Sequence, residues 1–136
     1  MSSFKIFDIA GSGMSAQSVR LNTVASNLAN ADSVSGDPNN VYRAKHPIFQ
    51  AVMGGGDLST AKVNVSGIAQ SQAAPETRYD PGNPLADAQG NVYAPNVNVV
   101  EEMADMISAS RSYQNNVEVL NTSRDMMLAT LKLGQS

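Results

Sequence analysis

The chain has 136 residues, a formal net charge of −3 and no cysteine. Its nine basic residues are scattered, so they offer no basic patch to nucleic acid or to an anionic membrane, and disulfides and thiolate metal sites are excluded. Lys5 and Asp8 interrupt the N-terminus before an apolar run can form, so we expect neither a cleaved signal peptide nor a transmembrane helix.

The first predicted element is an amphipathic helix over residues 4–31, in which only Lys5, Asp8 and Arg20 are charged. A solvent-exposed helix usually carries many Glu and Lys residues, so this composition favours a helix packed among several neighbours; a weakly polar surface helix is the alternative. Small or apolar residues recur at intervals of four and three, the spacing of a helix that pairs with another helix. They are Phe7, Gly11, Met14, Ser18, Leu21, Ala25 and Leu28.

Residues 36–96 are predicted to form a small, loop-rich β region. Turn-forming residues precede it, and prolines keep its elements short. A change of phase at Gly67 predicts a β-bulge, and Gly54, Gly55 and Gly56 predict a flexible loop. The candidate strands are residues 42–45, 47–52, 63–65, 77–80 and 92–94.

Residues 98–133 are predicted to form one long amphipathic helix, with Asn98 as its N-cap. At ~1.5 Å per residue the helix is about 54 Å long, more than so small a protein can cover, so it needs a partner. We predict that the two terminal helices pair, and that they are dynamic in the isolated chain and order on assembly. The apolar spacing of four and three runs through Val99, Met103, Met106, Ser110, Tyr113, Val117, Leu120, Arg124, Met127 and Leu131.

The sequence gives little support for an enzyme. His46 is the sole histidine, so no cluster of histidine ligands can form. Glu101, Glu102 and Asp105 are explained by their favourable interaction with the positive start of the second helix. We therefore expect no catalytic residue, no metal site and no cofactor.

Two stretches resemble the signatures of bacterial flagellar rod and hook proteins. Residues 21–31 read LNTVASNLANA, and residues 96–116 begin NVNVVEEM and end SASRSYQNN. Shorter matches at residues 7–12, 80–87 and 131–134 resemble the proximal rod members, and the short middle region argues against the hook and distal rod proteins. The resemblance implies an α+β fold in which the terminal helices, within residues 1–35 and 97–136, pair as a coiled-coil-like inner domain. The small β region of residues 36–96 is inserted between them in the chain and lies outside that domain.

The resemblance also implies a function. The chain is expected to be a structural subunit of the proximal rod, exported by the flagellar type III apparatus without a cleaved signal peptide. It would assemble helically across the periplasm, line the export channel and transmit torque. The implied partners are other copies, the rod proteins FlgB and FlgF and the adaptor FliE; nucleic acid, membrane insertion and small-molecule substrates are not expected. A small soluble adaptor that binds one partner helix, or another rod member, is the alternative.

Residue roles follow as hypotheses. The helix-pairing residues are expected to be Met14, Leu21, Leu28, Met103, Met106, Tyr113, Val117, Leu120 and Met127. Asparagine is a poor helix former, so the asparagines of the signatures are expected to bond neighbouring groups across subunit contacts; solvated polar positions are the alternative. The candidates for subunit contacts are Asn22, Asn27, Asn30, Arg111 and Asn116.

Overall fold

The computed structural model, which describes residues 3–54 and 57–134, has two long helices with a small antiparallel β region between them. The fold class is therefore α+β, as the sequence predicts. In chain order the helices and strands are α1 (Ser3–Asn30), β1 (Lys45–Gly54), β2 (Asp57–Gln70), β3 (Glu76–Tyr79), β4 (Asn91–Ala94) and α2 (Val99–Gly134), with a short 3₁₀ helix at Pro38–Asn40.

Helix α2 begins where the sequence predicts. The Asn98 side-chain oxygen accepts hydrogen bonds from the backbone N–H groups of Val100 and Glu101, at 3.1 and 3.3 Å. These two groups have no carbonyl partner inside the helix, so the asparagine satisfies donors that would otherwise depend on water. The helix then runs without interruption to Gly134.

Helices α1 and α2 pack against each other in antiparallel directions. Asn27 contacts Glu102, and further back along α1 the Arg20 guanidinium lies 2.7 Å from the Asp105 carboxylate. A Cβ atom on Gly13 would lie 3.0 Å from the Asn116 side chain. Counted from these contacts, the start of α1 lies opposite residue 126, so roughly the last two turns of α2 extend beyond α1.

The stripe of α2 that faces α1 differs by one residue from the predicted stripe at every second position. Its centre follows Glu102, Met106, Ala109, Tyr113, Asn116, Leu120, Ser123 and Met127, all buried or half-buried; Ser110 and Val117 of the predicted stripe are half-buried beside it, as are Asp105 and Ser112. Met103, assigned to the pairing face from its hydrophobicity, is instead 55% exposed. A small residue at Ala109 and a hydrogen-bonded Glu102 let the helices approach closely, so size and polarity decided the contact rather than hydrophobicity.

The pairing side of α1 differs from the prediction in the same way. Ser18 and Ala25 lie on the exposed side, and Met14, Leu21 and Leu28 are half-buried. Among the described residues of α1, the buried positions are Ala10, Ala16, Thr23, Val24 and Asn27.

Strands β1 and β2 form a two-stranded antiparallel ribbon that packs along α1. The Ser12 hydroxyl accepts a hydrogen bond from the backbone N–H of Val63 at 3.1 Å, and Lys62 lies 2.9 Å from Asp8. Ile48 pairs with Gly67 and Phe49 with Val65, which leaves Ser66 as the extra residue of the predicted bulge.

Two predictions made near the first strand are wrong. Residues 42–44 are not part of a strand, because β1 begins at Lys45, and Gly54 belongs to β1. Gly55 and Gly56 lie outside the described residues.

Strands β3 and β4 form a second antiparallel pair close to the end of α1. Ser35 and Tyr93 exchange two backbone hydrogen bonds of 2.9 and 2.8 Å, which join the segment after α1 to β4. The Asp87 carboxylate closes the turn before β4: it accepts from the backbone N–H groups of Gln89 and Asn91 and from the Tyr93 hydroxyl, at 2.9, 2.8 and 3.1 Å.

The core consists of small side chains. The fully buried hydrophobic residues among those described are Ala10, Ala16, Val24, Ala31, Ala44, Val92, Ala94 and Ala109. Large apolar side chains lie at the surface instead, so the chain buries little apolar area for its length. Neither described helix is both long and apolar enough to cross a membrane.

Candidate assembly surfaces and the Asn27 cluster

Asn27 is the centre of a buried polar cluster, which we call the Asn27 cluster and define as Asn27, Tyr42, Lys45 and Glu102. The Asn27 oxygen accepts from the Lys45 backbone N–H at 2.8 Å and from the Tyr42 hydroxyl at 2.9 Å. Its amide nitrogen donates to the Lys45 carbonyl at 2.9 Å and to Glu102 Oε1 at 3.0 Å. These four bonds use the two donors and two acceptor positions of an asparagine amide. One side chain therefore connects α1, β1 and α2.

Glu102 is the one acidic member of the cluster. It is 7% exposed, and its second oxygen, Oε2, has no hydrogen-bond partner among the described residues. From sequence, its position near the start of α2 is explained by the helix dipole, and its contact with Asn27 is not predicted. No sequence signal identifies this contact, because the predicted pairing stripe runs through Met103 and Ser110 rather than Glu102 and Ala109.

Asn27 was a candidate for subunit contacts, and the structure does not place it at the surface. Its side chain is completely buried and fully hydrogen-bonded within the chain. Within the chain its partner on α2 is Glu102, and Arg111 is exposed.

The other four candidates differ in their surroundings. Asn30 and Asn116 are half-buried and donate to carbonyl oxygens of their own helices, those of Ser26 at 2.8 Å and Ser112 at 2.9 Å. Asn22 and Arg111 are exposed. The latter two therefore have side chains that a neighbouring molecule can reach.

Two apolar patches lie at opposite ends of α2. The start patch consists of Val100, Met103 and Ile107, which are 76%, 55% and 57% exposed and lie on the side of α2 away from α1. The end patch consists of Phe4, Met126 and Leu131, which line a shallow concavity where α2 extends past α1. Exposed apolar clusters of this kind are typical of surfaces that contact other proteins.

Comparisons with known proteins identify the family. The family model described as flagella basal body rod protein matches residues 7–36, and the model described as flagellar basal body rod FlgEFG protein C-terminal matches residues 88–133. The chain is 58% identical over 135 residues to the flagellar basal-body rod protein FlgC of Escherichia coli O6:H1, covering 99% of this chain and 100% of that one. The chain belongs to the flagellar basal-body rod protein family.

Two further relatives with the same name are similar over nearly the full length of the chain. FlgC of Salmonella typhimurium is 57% identical over 135 residues, with 99% of this chain and all of the relative covered. FlgC of Aquifex aeolicus is 42% identical over 132 residues, covering 97% of each chain. The rod protein is thus a structural subunit of the flagellar basal body that assembles into the rod with other rod components, and its family is not one of enzymes.

The first expected outcome for this rod protein concerns two glycines of α1. Gly11→Ala should raise the free energy of unfolding by about 1 kcal/mol, because alanine favours a helix and no described atom lies within 4 Å of the new Cβ. The free energy of unfolding of Gly13→Ala should be about 1–2 kcal/mol lower than that of Gly11→Ala, because the Cβ at position 13 displaces the Asn116 side chain from its hydrogen bond to Ser112. Urea unfolding followed by circular dichroism measures both variants, and equal stabilisation would contradict the contact.

A second expected outcome concerns acid stability. The backbone N–H of Asn91 in particular holds the pKa of the Asp87 carboxyl below its ordinary value, and the Asp87 carboxylate raises the pKa of Tyr93. A lowered folded-state pKa stabilises the fold above about pH 5 and loses that contribution as the pH falls through the folded value. Asp87→Asn should therefore flatten the decline in stability between about pH 5 and pH 3, measured by urea unfolding; Asp80→Asn is the control. An unchanged slope in Asp87→Asn would show that Asp87 does not contribute.

Proposed function

We propose that this rod protein is a subunit of the proximal rod that assembles helically through its terminal helices. Residues 1–35 and 97–136 form the inner domain, which lines the export channel, and residues 36–96 form the outer β region. The assembly transmits torque as part of the drive shaft. The high identity to FlgC proteins over the full length of the chain supports this member of the family.

The observation that carries the proposal is the contrast between the core and the surface. The fully buried hydrophobic residues are alanines and valines, whereas the start patch and the end patch leave large apolar side chains in water. Burial of an apolar side chain contributes about 1.5–3 kcal/mol, so covering both patches in an assembly stabilises the helices substantially. We infer that the terminal helices gain much of their order from neighbouring subunits.

The inferred neighbours are other copies, FlgB, FlgF and the adaptor FliE. Asn22, Arg111 and the start patch are the surfaces that we assign to subunit contacts, because their side chains are exposed on the two terminal helices. We further propose that the chain is exported by the flagellar type III apparatus without cleavage of a signal peptide, and that the assembled rod spans the periplasm.

Sedimentation velocity and circular dichroism over a concentration series test the proposal, with and without FlgB and FlgF. The dilute chain should be a monomer whose paired helices are frayed and whose helicity is therefore below that of the structure, and helicity should rise as larger species form. A fully helical monomer that never associates would contradict the proposal and favour the single-partner adaptor.

A variant of the start patch sharpens this test. Ile107→Glu should leave the monomer's circular dichroism unchanged, because the side chain is 57% exposed, but should prevent association by placing a charge in an apolar contact. Gln72→Glu adds the same charge on the exposed loop between β2 and β3 and should assemble normally. If Ile107→Glu also assembles normally, the start patch is not a subunit contact.

A further inference from the structure

We propose that the Asn27–Glu102 hydrogen bond sets the register of α1 against α2. The two helices could in principle pair in more than one way, because the stripe of α2 repeats every seven residues. Helix α2 has 36 residues and α1 has 28, so α2 can slide by seven residues towards its own start and still cover all of α1. In that slid register, Asn27 lies opposite Ala109.

Apolar burial does not favour the observed register. The slide draws the overhanging end of α2 alongside α1 and moves Tyr113, Leu120 and Met127 into the places of Met106, Tyr113 and Leu120. Leu131 moves only to the exposed position of Arg124, so the two registers bury similar large apolar side chains. Something other than hydrophobic contact must therefore oppose the slide.

Two other features also oppose the slide: Asn116 would take the place of the fully buried Ala109, and the Ser35–Tyr93 pair ties β4 to the segment after α1. The two other contacts along the helix pair distinguish the registers only weakly. The Arg20–Asp105 ion pair is partly exposed on both sides, and exposed ion pairs contribute little. Gly13 faces Asn116, and the slide places the smaller Ser123 there, which Gly13 accommodates equally well. Neither contact prevents a shift of seven residues.

The Asn27 cluster distinguishes the observed register from the slid register. In the slid register the Asn27 amide loses its Glu102 acceptor and meets Ala109, which has no polar side chain. A buried donor that loses its partner carries the full cost of desolvation, and a single buried asparagine is known to fix the register of paired helices. Because Asn27 also bonds both backbone groups of Lys45, it fixes α2 relative to the β1–β2 ribbon as well.

The test uses the full-length chain, which contains no cysteine of its own. Gly13→Cys with Asn116→Cys reports the observed register, because a Cβ at position 13 lies 3.2 Å from the Asn116 Cγ. Gly13→Cys with Ser123→Cys reports the slid register, since position 123 is about 10.5 Å further along α2. Equilibration with reduced and oxidised glutathione gives the effective concentration of each cysteine pair, and their ratio measures the register preference.

The critical measurement repeats both cysteine pairs in a chain that also carries Asn27→Leu and Glu102→Leu, which replace the polar pair by apolar side chains. Such replacements often keep or increase stability, so the helices should remain paired. The ratio of the two effective concentrations should fall about tenfold or more relative to the unaltered background. The control is Asn22→Leu with Glu101→Leu, the same exchange at exposed positions of the same helices, which should leave the ratio unchanged.

Two results would overturn the proposal. A helical double variant that keeps the original ratio would show that other contacts set the register. A double variant that loses its helical circular dichroism, with neither disulfide favoured, would show that the polar pair holds the helices together without selecting between registers. Both measurements are made on the unassembled chain, so they do not depend on the proposed place of the protein in the rod.

Discussion

Asn27→Ala should lower the free energy of unfolding by about 3–5 kcal/mol. The substitution removes four hydrogen bonds and leaves a buried Glu102 carboxylate without its donor, and loss of one partner of a buried polar pair is among the most destabilising of changes. The gain in helix propensity from alanine, about 0.5 kcal/mol, offsets little of this. Because the core consists of small side chains, we expect the variant to lose much of its helical circular dichroism at 25 °C.

The matched control is Asn22→Ala, which makes the same exchange on the exposed side of α1, five residues earlier. It should change stability by no more than about 0.5 kcal/mol. Tyr42→Phe removes only one of the four hydrogen bonds of Asn27. It should lower the free energy of unfolding by about 1–1.5 kcal/mol, an effect between those of Asn22→Ala and Asn27→Ala. Equal effects of Asn22→Ala and Asn27→Ala would mean that the Asn27 cluster does not support the fold.

Gly36→Ala should destabilise the chain by about 3 kcal/mol and should act on a different part of it. A Cβ at position 36 overlaps the backbone carbonyl oxygen of Leu85. A backbone atom cannot rotate away as a side-chain tip can, so the segment after α1 must separate from the loop before β4. The two Ser35–Tyr93 backbone hydrogen bonds should break as a result.

Hydrogen exchange identifies this local effect. In Gly36→Ala the amides of Ser35 and Tyr93 should lose protection, while the amides of α1 and α2 keep theirs. Gly67→Ala is the control, because no described atom lies within 4 Å of the added Cβ in the β1–β2 ribbon. Unchanged protection at Ser35 in Gly36→Ala would show that the two loops can shift without breaking their contact.

The predictions from sequence succeeded where the signal is local. The Asn98 cap, the bulge at Gly67 and the limits of both helices depend on neighbouring residues alone, and the structure confirms them within one or two residues. The flagellar signatures lie in α1 and in and just before α2, and the family matches on residues 7–36 and 88–133 bear out the resemblance.

The predictions failed where a distant element decides. The apolar pattern places Met103 on the pairing face, and the structure buries the neighbouring Glu102, because an amide 75 residues away in sequence accommodates it. Residues 42–44 were predicted to be part of a strand. The Asn27 side chain instead bonds Tyr42 and the backbone of Lys45, and β1 starts only at Lys45.

The sequence by itself determined the two long helices, the presence of a β region between them and the family, because helix caps, turn residues and signature motifs act over short stretches of chain. It did not determine strand length, since β1 and β2 have 10 and 14 residues where short strands are predicted. The tertiary structure alone decided which face of α2 meets α1 and at what register. Hydrophobic contact is non-directional and tolerates sliding along a repeating stripe, whereas a hydrogen-bonded asparagine requires one partner at one distance. That requirement becomes visible only once Asn27 and Glu102 are brought together in space.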